Sequence, residues 1–166
     1  MKLINKKVYF VMAFIWMGII FYMSNQPASI SSQQSGGVIE TLNDLPYIGS
    51  IITYMMEIDI AEFIIRKAAH MFSYFILAIL LFMSMYDKKV HLEKISLKAL
   101  VFTFLYALSD EFHQLFIEGR SGEFRDVMID TSGGFIGILI LYFIIKFSKK
   151  SKSLNKQNNK VDNQIF

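Results

Sequence analysis

Long apolar runs alternate with short polar connections along this chain, and the runs have the length of helices that cross a membrane. The first run, VYFVMAFIWMGIIFYM, starts at Val8 and contains no charged residue. Adding the few residues that follow brings it to the length of about twenty residues that a bilayer requires. Three further apolar runs follow. The pattern predicts four transmembrane helices, at about residues 8–26, 68–86, 97–116 and 127–147.

The segment between the first two runs has a different pattern. Residues 24–46 are rich in Ser, Gln and Gly, which favours a loop with one short helix. Residues 47–70 mix apolar residues with Glu57, Asp59 and Glu62, as in a helix that lies in the membrane interface. The predicted fold class is therefore all-α: an integral membrane four-helix bundle with a short extracellular interfacial helix.

Composition narrows the function classes. The chain is 54% hydrophobic with a mean hydropathy of +0.41, which exceeds what a soluble core needs. It has no cysteine, which excludes disulfides, thiol nucleophiles and cysteine-ligated metals. The net charge of +3 is concentrated in connections, so we expect no nucleic-acid partner. We expect one transmembrane domain over residues 1–147 and a basic, disordered cytoplasmic tail over residues 148–166.

The distribution of the lysines predicts how the chain is oriented in the membrane. They cluster at the N-terminal end, in the connection over residues 87–98 and in the tail; the clusters contain Lys2, Lys6 and Lys7, then Lys88, Lys89, Lys94 and Lys98, then Lys146, Lys149, Lys150, Lys152, Lys156 and Lys160. The positive-inside rule places all three clusters in the cytoplasm. This predicts a multi-pass protein of the cell membrane with both termini cytoplasmic. A signal peptide has a similar basic and apolar start, but no clear cleavage site follows, so we expect the first span to be retained.

Polar residues interrupt the apolar runs near the predicted external ends of the last three spans. Ionisable side chains at that depth are costly and usually functional. The stretch over residues 109–134 contains Asp110, Glu111, His113, Gln114, Arg120, Arg125, Asp126 and Asp130, and the entrance of the second span contains Arg66, Lys67, His70 and Tyr74. With four spans, these residues lie at similar depth, which predicts a polar cavity open to the outer face.

Helical periodicity divides these residues between faces. On the third span Asp110, His113 and Gln114 share a face, and on the fourth Asp126, Asp130, Gly133 and Gly137 share one. Glu111 lies about 100° from Asp110 on an ideal helix, so the two carboxylates need not share one cavity. Gly133 and Gly137 form a GxxxG spacing, which lets a neighbouring helix approach closely.

Several of these motifs together resemble the VanZ-like family of small membrane proteins. The resemblance covers roughly residues 8–145 and rests on Ser24-Asn25-Gln26-Pro27, Arg66-Lys67-Ala68-Ala69-His70 with Tyr74, the run from Ser109 to Gln114, Gly119-Arg120 with Gly122, and the run from Asp126 to Asp130 ahead of Gly133. One departure is Glu118, where many relatives have proline. The family takes its name from an accessory protein associated with teicoplanin resistance, and no reaction is firmly attached to it. The resemblance implies an envelope role.

Three functional hypotheses follow. In the first, an anionic lipid headgroup or lipid-linked wall precursor is the ligand, bound by Arg66, Lys67, His70, Tyr74, Gln114, Arg120 and Arg125. In the second, His70 or His113 is a general acid or base beside Asp110, Glu111, Asp126 or Asp130 in a lipid-directed hydrolase or transferase. The third is a scaffold or partner-binding protein in which Arg120 and Arg125 form structural ion pairs.

The sequence contains few features that indicate a metal ion or another cofactor. Aspartate and histidine side chains are compatible with a divalent ion, but no HExxH or comparable zinc spacing is present. The sequence therefore predicts no metal site and no evident cofactor. The partner that it does predict is the lipid bilayer, and it indicates no oligomeric state.

Overall fold

The computed structural model of the chain consists of six α-helices and describes residues 5–165, with side chains described for residues 5–151. The helices are α1 Lys6–Ser24, α2 Ala28–Asn43, α3 Ile48–Glu57, α4 Ala61–Met85, α5 Leu92–Gln114 and α6 Phe124–Ile165. Residues 5–165 contain no strand, which confirms the predicted all-α class. Lys2, which contributed to the predicted orientation, lies outside the described residues.

Local chemistry explains where the first helices begin and end. The side chain of Asn5 caps α1 by accepting a hydrogen bond from the backbone N–H of residue 7 at 3.0 Å. Pro27 stops α1 from continuing, because proline has no N–H and clashes with the preceding turn. Tyr47 precedes α3 with a φ of 70°, and Asp59 lies between α3 and α4 with a φ of 56°. These left-handed conformations mark the boundaries on either side of α3.

The polar segment after α1 is more helical than its composition indicates. The predicted loop contains α2, a helix of 16 residues. Ile39 of α2 packs in a small apolar cluster with Ile52 of α3 and Ala61 of α4, and this tertiary packing overrides the weak helix propensity of Ser and Gly. The helix predicted over residues 47–70 is divided at Asp59, so its second part belongs to α4, which begins at Ala61 rather than near Ala68.

Helix α4 lies at the centre of the fold and contacts each of the other helices. Tyr74, Leu77 and Phe82 are completely buried along it. Contacts distant in sequence show that α1, α4, α5 and α6 run alternately up and down. Lys6 at the start of α1 meets Asp87 just after α4, whereas the end of α1 meets the end of α5.

Two glycines let α4 and α6 pack backbone to backbone. A Cβ atom on Gly133 would overlap the carbonyl oxygen of Met71, and one on Gly137 would lie 2.8 Å from the carbonyl oxygen of Phe75. The close approach predicted from the GxxxG spacing is therefore confirmed, and α4 is the neighbour. This contact brings the first turns of α6 against the first half of α4.

Within the described part of the chain, three helices are long and apolar enough to cross a membrane: α1, α4 and the part of α6 from Phe124 to Ser151. They correspond to three of the four predicted spans. The third predicted span corresponds to α5, which is excluded from this group by charged residues at both ends; these are Glu93, Lys94, Lys98, Asp110 and Glu111. Large apolar side chains such as Phe14, Phe102 and Phe135 are exposed on the outside of the bundle, as in a lipid-facing surface.

Helix α6 is longer than predicted. It continues to Ile165, through the segment expected to be a disordered tail over residues 148–166. The sequence after Gly137 contains neither glycine nor proline, so no residue breaks the helix once the span has started it. The basic composition that suggested disorder is compatible with a helix, since lysine is a good helix former.

Candidate functional site

A polar pocket of about 350 Å³ lies where the first turns of α4 and α6 meet the end of α5 and the α5–α6 loop. Nine of the predicted site residues line it: Arg66, Lys67, His70, Glu111, Gln114, Arg120, Arg125, Asp126 and Asp130. Antiparallel packing of the helices brings these residues together although they are far apart in the sequence. Their role in binding or catalysis stays a prediction.

The other predicted site residues lie outside the pocket lining. Tyr74 and Asp110 are buried, and Asp110 forms a cluster with pocket residues that is described below. His113 packs its ring against Phe21 of α1, with the ring centroids 4.7 Å apart. The structure therefore does not bring His113 to the pocket, which leaves His70 as the pocket histidine.

The carboxylate of Asp110 is held from two sides. Ser24 at the end of α1 donates a hydrogen bond to its Oδ2 atom at 2.8 Å, and Tyr74 of α4 donates one to the same oxygen at 3.1 Å. The residue is only 3% exposed. Its other oxygen, Oδ1, has no hydrogen-bond partner among the described side chains and backbone. A buried polar atom without a partner is expensive and calls for a reason.

Asp130 on α6 lies beside Asp110 and, like it, is a buried carboxylate with one oxygen that has no hydrogen-bond partner among the described residues. It is 1% exposed, and its Oδ2 atom accepts no hydrogen bond from residues 5–151. The nearest basic group is the imidazole of His70, whose Nδ1 atom lies 3.9 Å from that oxygen. This distance is too long for a hydrogen bond. His70, Asp110 and Asp130 each offer one ligand atom within 4.8 Å of the others.

The basic residues of the pocket differ in how they are paired. Lys67 forms an ion pair with Asp126, in which both side chains are mostly buried. Lys67 and Arg125 both lie over the ring of Phe63, at 5.4 and 5.2 Å from its centroid. Within the part of the chain whose side chains are described, neither Arg66, Arg120 nor Arg125 has a carboxylate within ion-pair distance. The structural ion pairs expected for Arg120 and Arg125 do not form there.

Backbone carbonyls position Arg120 instead. Its Nε atom donates to the carbonyl oxygen of Gln26 at 2.8 Å, and its terminal nitrogens make longer contacts with Met23 and Gln114. Burial lowers the pKa of Arg120 below its usual value, and repulsion from Arg66 lowers it further. The guanidinium is therefore an incompletely neutralised cation that faces the pocket.

The loop that carries Arg120 is fixed by close backbone contacts. Gly119 has a φ of 74°, a conformation that glycine adopts without strain. The backbone N–H of Ala28 donates to the carbonyl oxygen of Glu118 at 3.2 Å, so the residue that departs from the family pattern contributes a main-chain contact. At the far end of the loop, Glu111 accepts a hydrogen bond from the backbone N–H of Glu123 at 3.1 Å.

Sequence reasoning missed several residues of the site. Phe63, Ser121 and Glu123 line the pocket, and Ser24 holds Asp110 from 86 positions away. The motif Ser24-Asn25-Gln26-Pro27 was a usable signal for Ser24. No local pattern marks Phe63 as a residue that stacks against two cations.

A second, more apolar groove of about 190 Å³ adjoins the polar pocket. Its apolar side chains come from α1, α2 and α4, and they are Ile20, Met23, Val38, Ile65 and Ala69. Arg66, His70 and Arg120 line both spaces. The polar pocket and the apolar groove therefore form one amphipathic site, with a basic boundary between the two parts.

Comparisons with known proteins agree with the motifs. A model of the VanZ/LLP1 family matches residues 9–146, which include most of α1, the whole of α2 to α5 and the site. No curated protein and no solved structure matches the chain. The matched segment is most of the chain and covers most of each of the three apolar helices. The chain is therefore a membrane protein that belongs to the VanZ-like family.

Proposed function

We propose that the amphipathic site binds the anionic headgroup of a lipid or of a lipid-linked envelope precursor. The observation that carries the proposal is that Arg66 and Arg120 lie on the boundary between a polar pocket and an apolar groove. A lipid has the same division, with a charged head joined to apolar chains. The polar pocket takes the headgroup, and the groove along α1, α2 and α4 takes the start of a chain.

Unpaired guanidinium groups support recognition of an anion. Arg66, Arg120 and Arg125 have no carboxylate partner in the described side chains, so no carboxylate competes with an anionic ligand for their charge. Arg120 already donates to neutral oxygens of Gln26, Met23 and Gln114, which do not neutralise it. Arginine suits phosphate because its planar group makes two parallel hydrogen bonds. Lys67 is engaged by Asp126 and contributes less to binding.

The proposed membrane placement makes α5 a fourth span. Its 23 residues extend about 34 Å at 1.5 Å per residue, which exceeds the hydrocarbon thickness of about 30 Å. Asp110 and Glu111 near its end are buried in the bundle, so lipid does not meet them. Four spans place both termini in the cytoplasm by the lysine bias. The pocket then opens toward the outer face, and α3 lies in the outer interface.

An outward-facing site suits an envelope role. Glycopeptides act on cell-wall precursors at the outer membrane surface, and the family takes its name from a protein associated with teicoplanin resistance. We propose a role in glycopeptide tolerance through the headgroup that the site binds. The binding test described below does not depend on this role.

A lipid-directed hydrolase or transferase is the second candidate. The observation that favours it is the position of His70, which lines both spaces beside two buried carboxylates. A histidine there can transfer a proton to or from a bound headgroup. His113 lies outside the pocket lining, so the arrangement favours His70 over His113 for this step.

Native mass spectrometry of the protein, purified with its own lipids in gentle detergent, tests headgroup binding. The variants are Arg120→Gln and Asp110→Asn, with Lys98→Gln as the control. Lys98 is exposed near the opposite end of α5, so the control loses the same charge far from the site. We expect an anionic lipid or wall precursor on the parent and the control, and loss of that adduct in Arg120→Gln.

Two results would oppose the proposal. Identical adducts on the parent, Arg120→Gln and Lys98→Gln would show that the lipids bind elsewhere. If Arg120→Gln and Asp110→Asn both unfold more easily without any change in adducts, the polar residues are structural and the scaffold hypothesis is correct. An added headgroup that is chemically altered by the parent but not by His70→Gln would establish the enzyme.

A further inference from the structure

We propose that His70, Asp110 and Asp130 bind a divalent transition-metal ion beneath the polar pocket. The three residues come from α4, α5 and α6, and each offers a ligand atom within 4.8 Å of the other two. Sequence reasoning found no metal spacing because each helix supplies a single ligand. The proposal does not depend on which headgroup the pocket binds.

The separation of the side chains fits an ion better than direct contact. The Nδ1 atom of His70 and the Oδ2 atom of Asp130 are 3.9 Å apart, too far for a hydrogen bond. Two ligands of one tetrahedral ion lie about 3.4 Å apart when the metal–ligand distances are about 2.1 Å. Binding of an ion would therefore draw the three ligand atoms together from separations of up to 4.8 Å.

Unpartnered oxygens are the second, independent observation. Asp110 and Asp130 are 3% and 1% exposed, yet Oδ1 of Asp110 and Oδ2 of Asp130 have no hydrogen-bond partner among the described residues. A buried carboxylate needs a partner, and a metal ion is one of the few that suffices. One ion at this point would satisfy both carboxylates together.

Hydrogen bonds from two neighbouring side chains already orient one of the proposed metal ligands. Ser24 and Tyr74 both donate to Oδ2 of Asp110, which leaves Oδ1 free of protein partners. Hydrogen bonds of this kind fix the direction of a metal-ligating carboxylate. The conformation of Asp110 is therefore set before an ion arrives, and Ser24 and Tyr74 act as positioning residues.

The donor set selects the class of metal. Imidazole nitrogen suits Zn²⁺ and other transition ions, whereas Mg²⁺ and Ca²⁺ prefer oxygen ligands throughout. One histidine with two carboxylates therefore favours Zn²⁺ or Mn²⁺. A divalent ion also changes the pocket, whose lining contains four basic and four acidic residues. Binding of the ion makes this region net positive and favourable for an anion.

The test is calorimetric titration of the tag-free, full-length protein in detergent with Zn²⁺, Mn²⁺ and Mg²⁺ separately, with bound metal counted by mass spectrometry. We expect one Zn²⁺ or Mn²⁺ per chain and weaker binding of Mg²⁺. Asp130→Asn and His70→Gln should weaken binding about 100-fold, and Ser24→Ala about tenfold, as for other orienting partners. Asp87→Asn, the same chemical change at the far end of the bundle, should match the parent.

A parent protein that takes up neither Zn²⁺ nor Mn²⁺ would overturn the proposal. So would variants that keep the stoichiometry and affinity of the parent, because the ion would then be adventitious. If Asp130→Asn fails to fold, His70→Gln decides the matter, since the side chain of His70 is 21% exposed against 1% for Asp130 and we expect its replacement to disturb the fold less. Fluorescence of Trp16, which donates to the carbonyl oxygen of Ser73, shows whether each variant is folded.

Discussion

The two ends of the helical bundle contain the same types of charged residue but differ in how far these residues are buried and paired. At the end that carries Lys6, the lysine pairs with Asp87 at 2.8 Å while both side chains remain about half exposed, and Tyr142 donates to exposed Glu93. At the site end, Asp110 and Asp130 are buried, with oxygens that lack partners in the described part of the chain. At the first end the charged side chains are exposed and paired. At the site end they are buried and incompletely paired, and the proposed binding site rests on this difference.

The largest expected effect is a loss of stability when the close packing of α4 against α6 at the site end is disturbed. Gly133→Ala forces a Cβ atom onto the carbonyl oxygen of Met71, so α4 and α6 must separate. We expect a loss of about 3 kcal/mol of unfolding free energy, at the upper end for overpacking, measured as a lower Tm in detergent. Gly18→Ala in α1 is the control because nothing lies within 4 Å of its Cβ position. Equal Tm values for both variants would contradict the close contact.

The helices themselves could be predicted from the sequence, but the partners of the buried polar groups could not. Uncharged runs identified α1, α4 and α6, and the GxxxG spacing identified a close contact. The sequence did not show that α2 is a full helix, because its helicity depends on packing of Ile39 against α3 and α4. Nor did it show that Ser24 meets Asp110, since that contact forms only when α1 and α5 end at the same depth.

A second effect compares two tyrosine hydroxyls at opposite ends. Tyr74→Phe removes a buried donor to Asp110 and should cost about 1–3 kcal/mol, because the carboxylate loses a hydrogen bond in a low-dielectric environment. Tyr142→Phe removes a donor to exposed Glu93 and should leave Tm unchanged within error. Thermal unfolding of both variants checks this prediction. If Tyr142→Phe proves the more damaging, the distinction between the two ends is wrong.

A smaller effect is expected from the two lysine–aspartate pairs. Lys67 and Asp126 are 22% and 14% exposed in their side chains, so their coupling energy in a double-mutant cycle should be about 1 kcal/mol, above that of most exposed pairs. The cycle uses Lys67→Gln, Asp126→Asn and the double variant. A matching cycle on Lys6 and Asp87 should give no measurable coupling at physiological salt. Equal coupling energies in the two cycles would contradict the distinction between a mostly buried pair at the site end and an exposed pair at the other end.

The smallest effect is a pH dependence of the exposed pair. The hydrogen bond donated by Lys6 lowers the pKa of the Asp87 carboxyl below its ordinary value of 3.8. A depressed pKa means that the pair stabilises the fold above pH 3.8 and loses this contribution as pH falls through the lower, folded-state pKa. At low ionic strength, where salt screens the exposed pair least, the Tm values of the parent and Lys6→Gln should therefore differ slightly at neutral pH and converge in acid. If the two Tm values instead moved further apart as the pH falls, the pair would stabilise the fold more in acid and the prediction would be wrong.

The contacts of Arg120 connect the site mechanically to the N-terminal helices. Its guanidinium is held by carbonyl oxygens of Met23 in the last turn of α1 and of Gln26 in the turn between α1 and α2, and the loop that carries it is joined to the start of α2 through Ala28. A ligand that draws the guanidinium inward must also move this turn, or must release it. A spectroscopic probe attached to α2 distinguishes the two outcomes: its signal changes on addition of a headgroup if the turn moves with Arg120, and stays constant if Arg120 releases the turn.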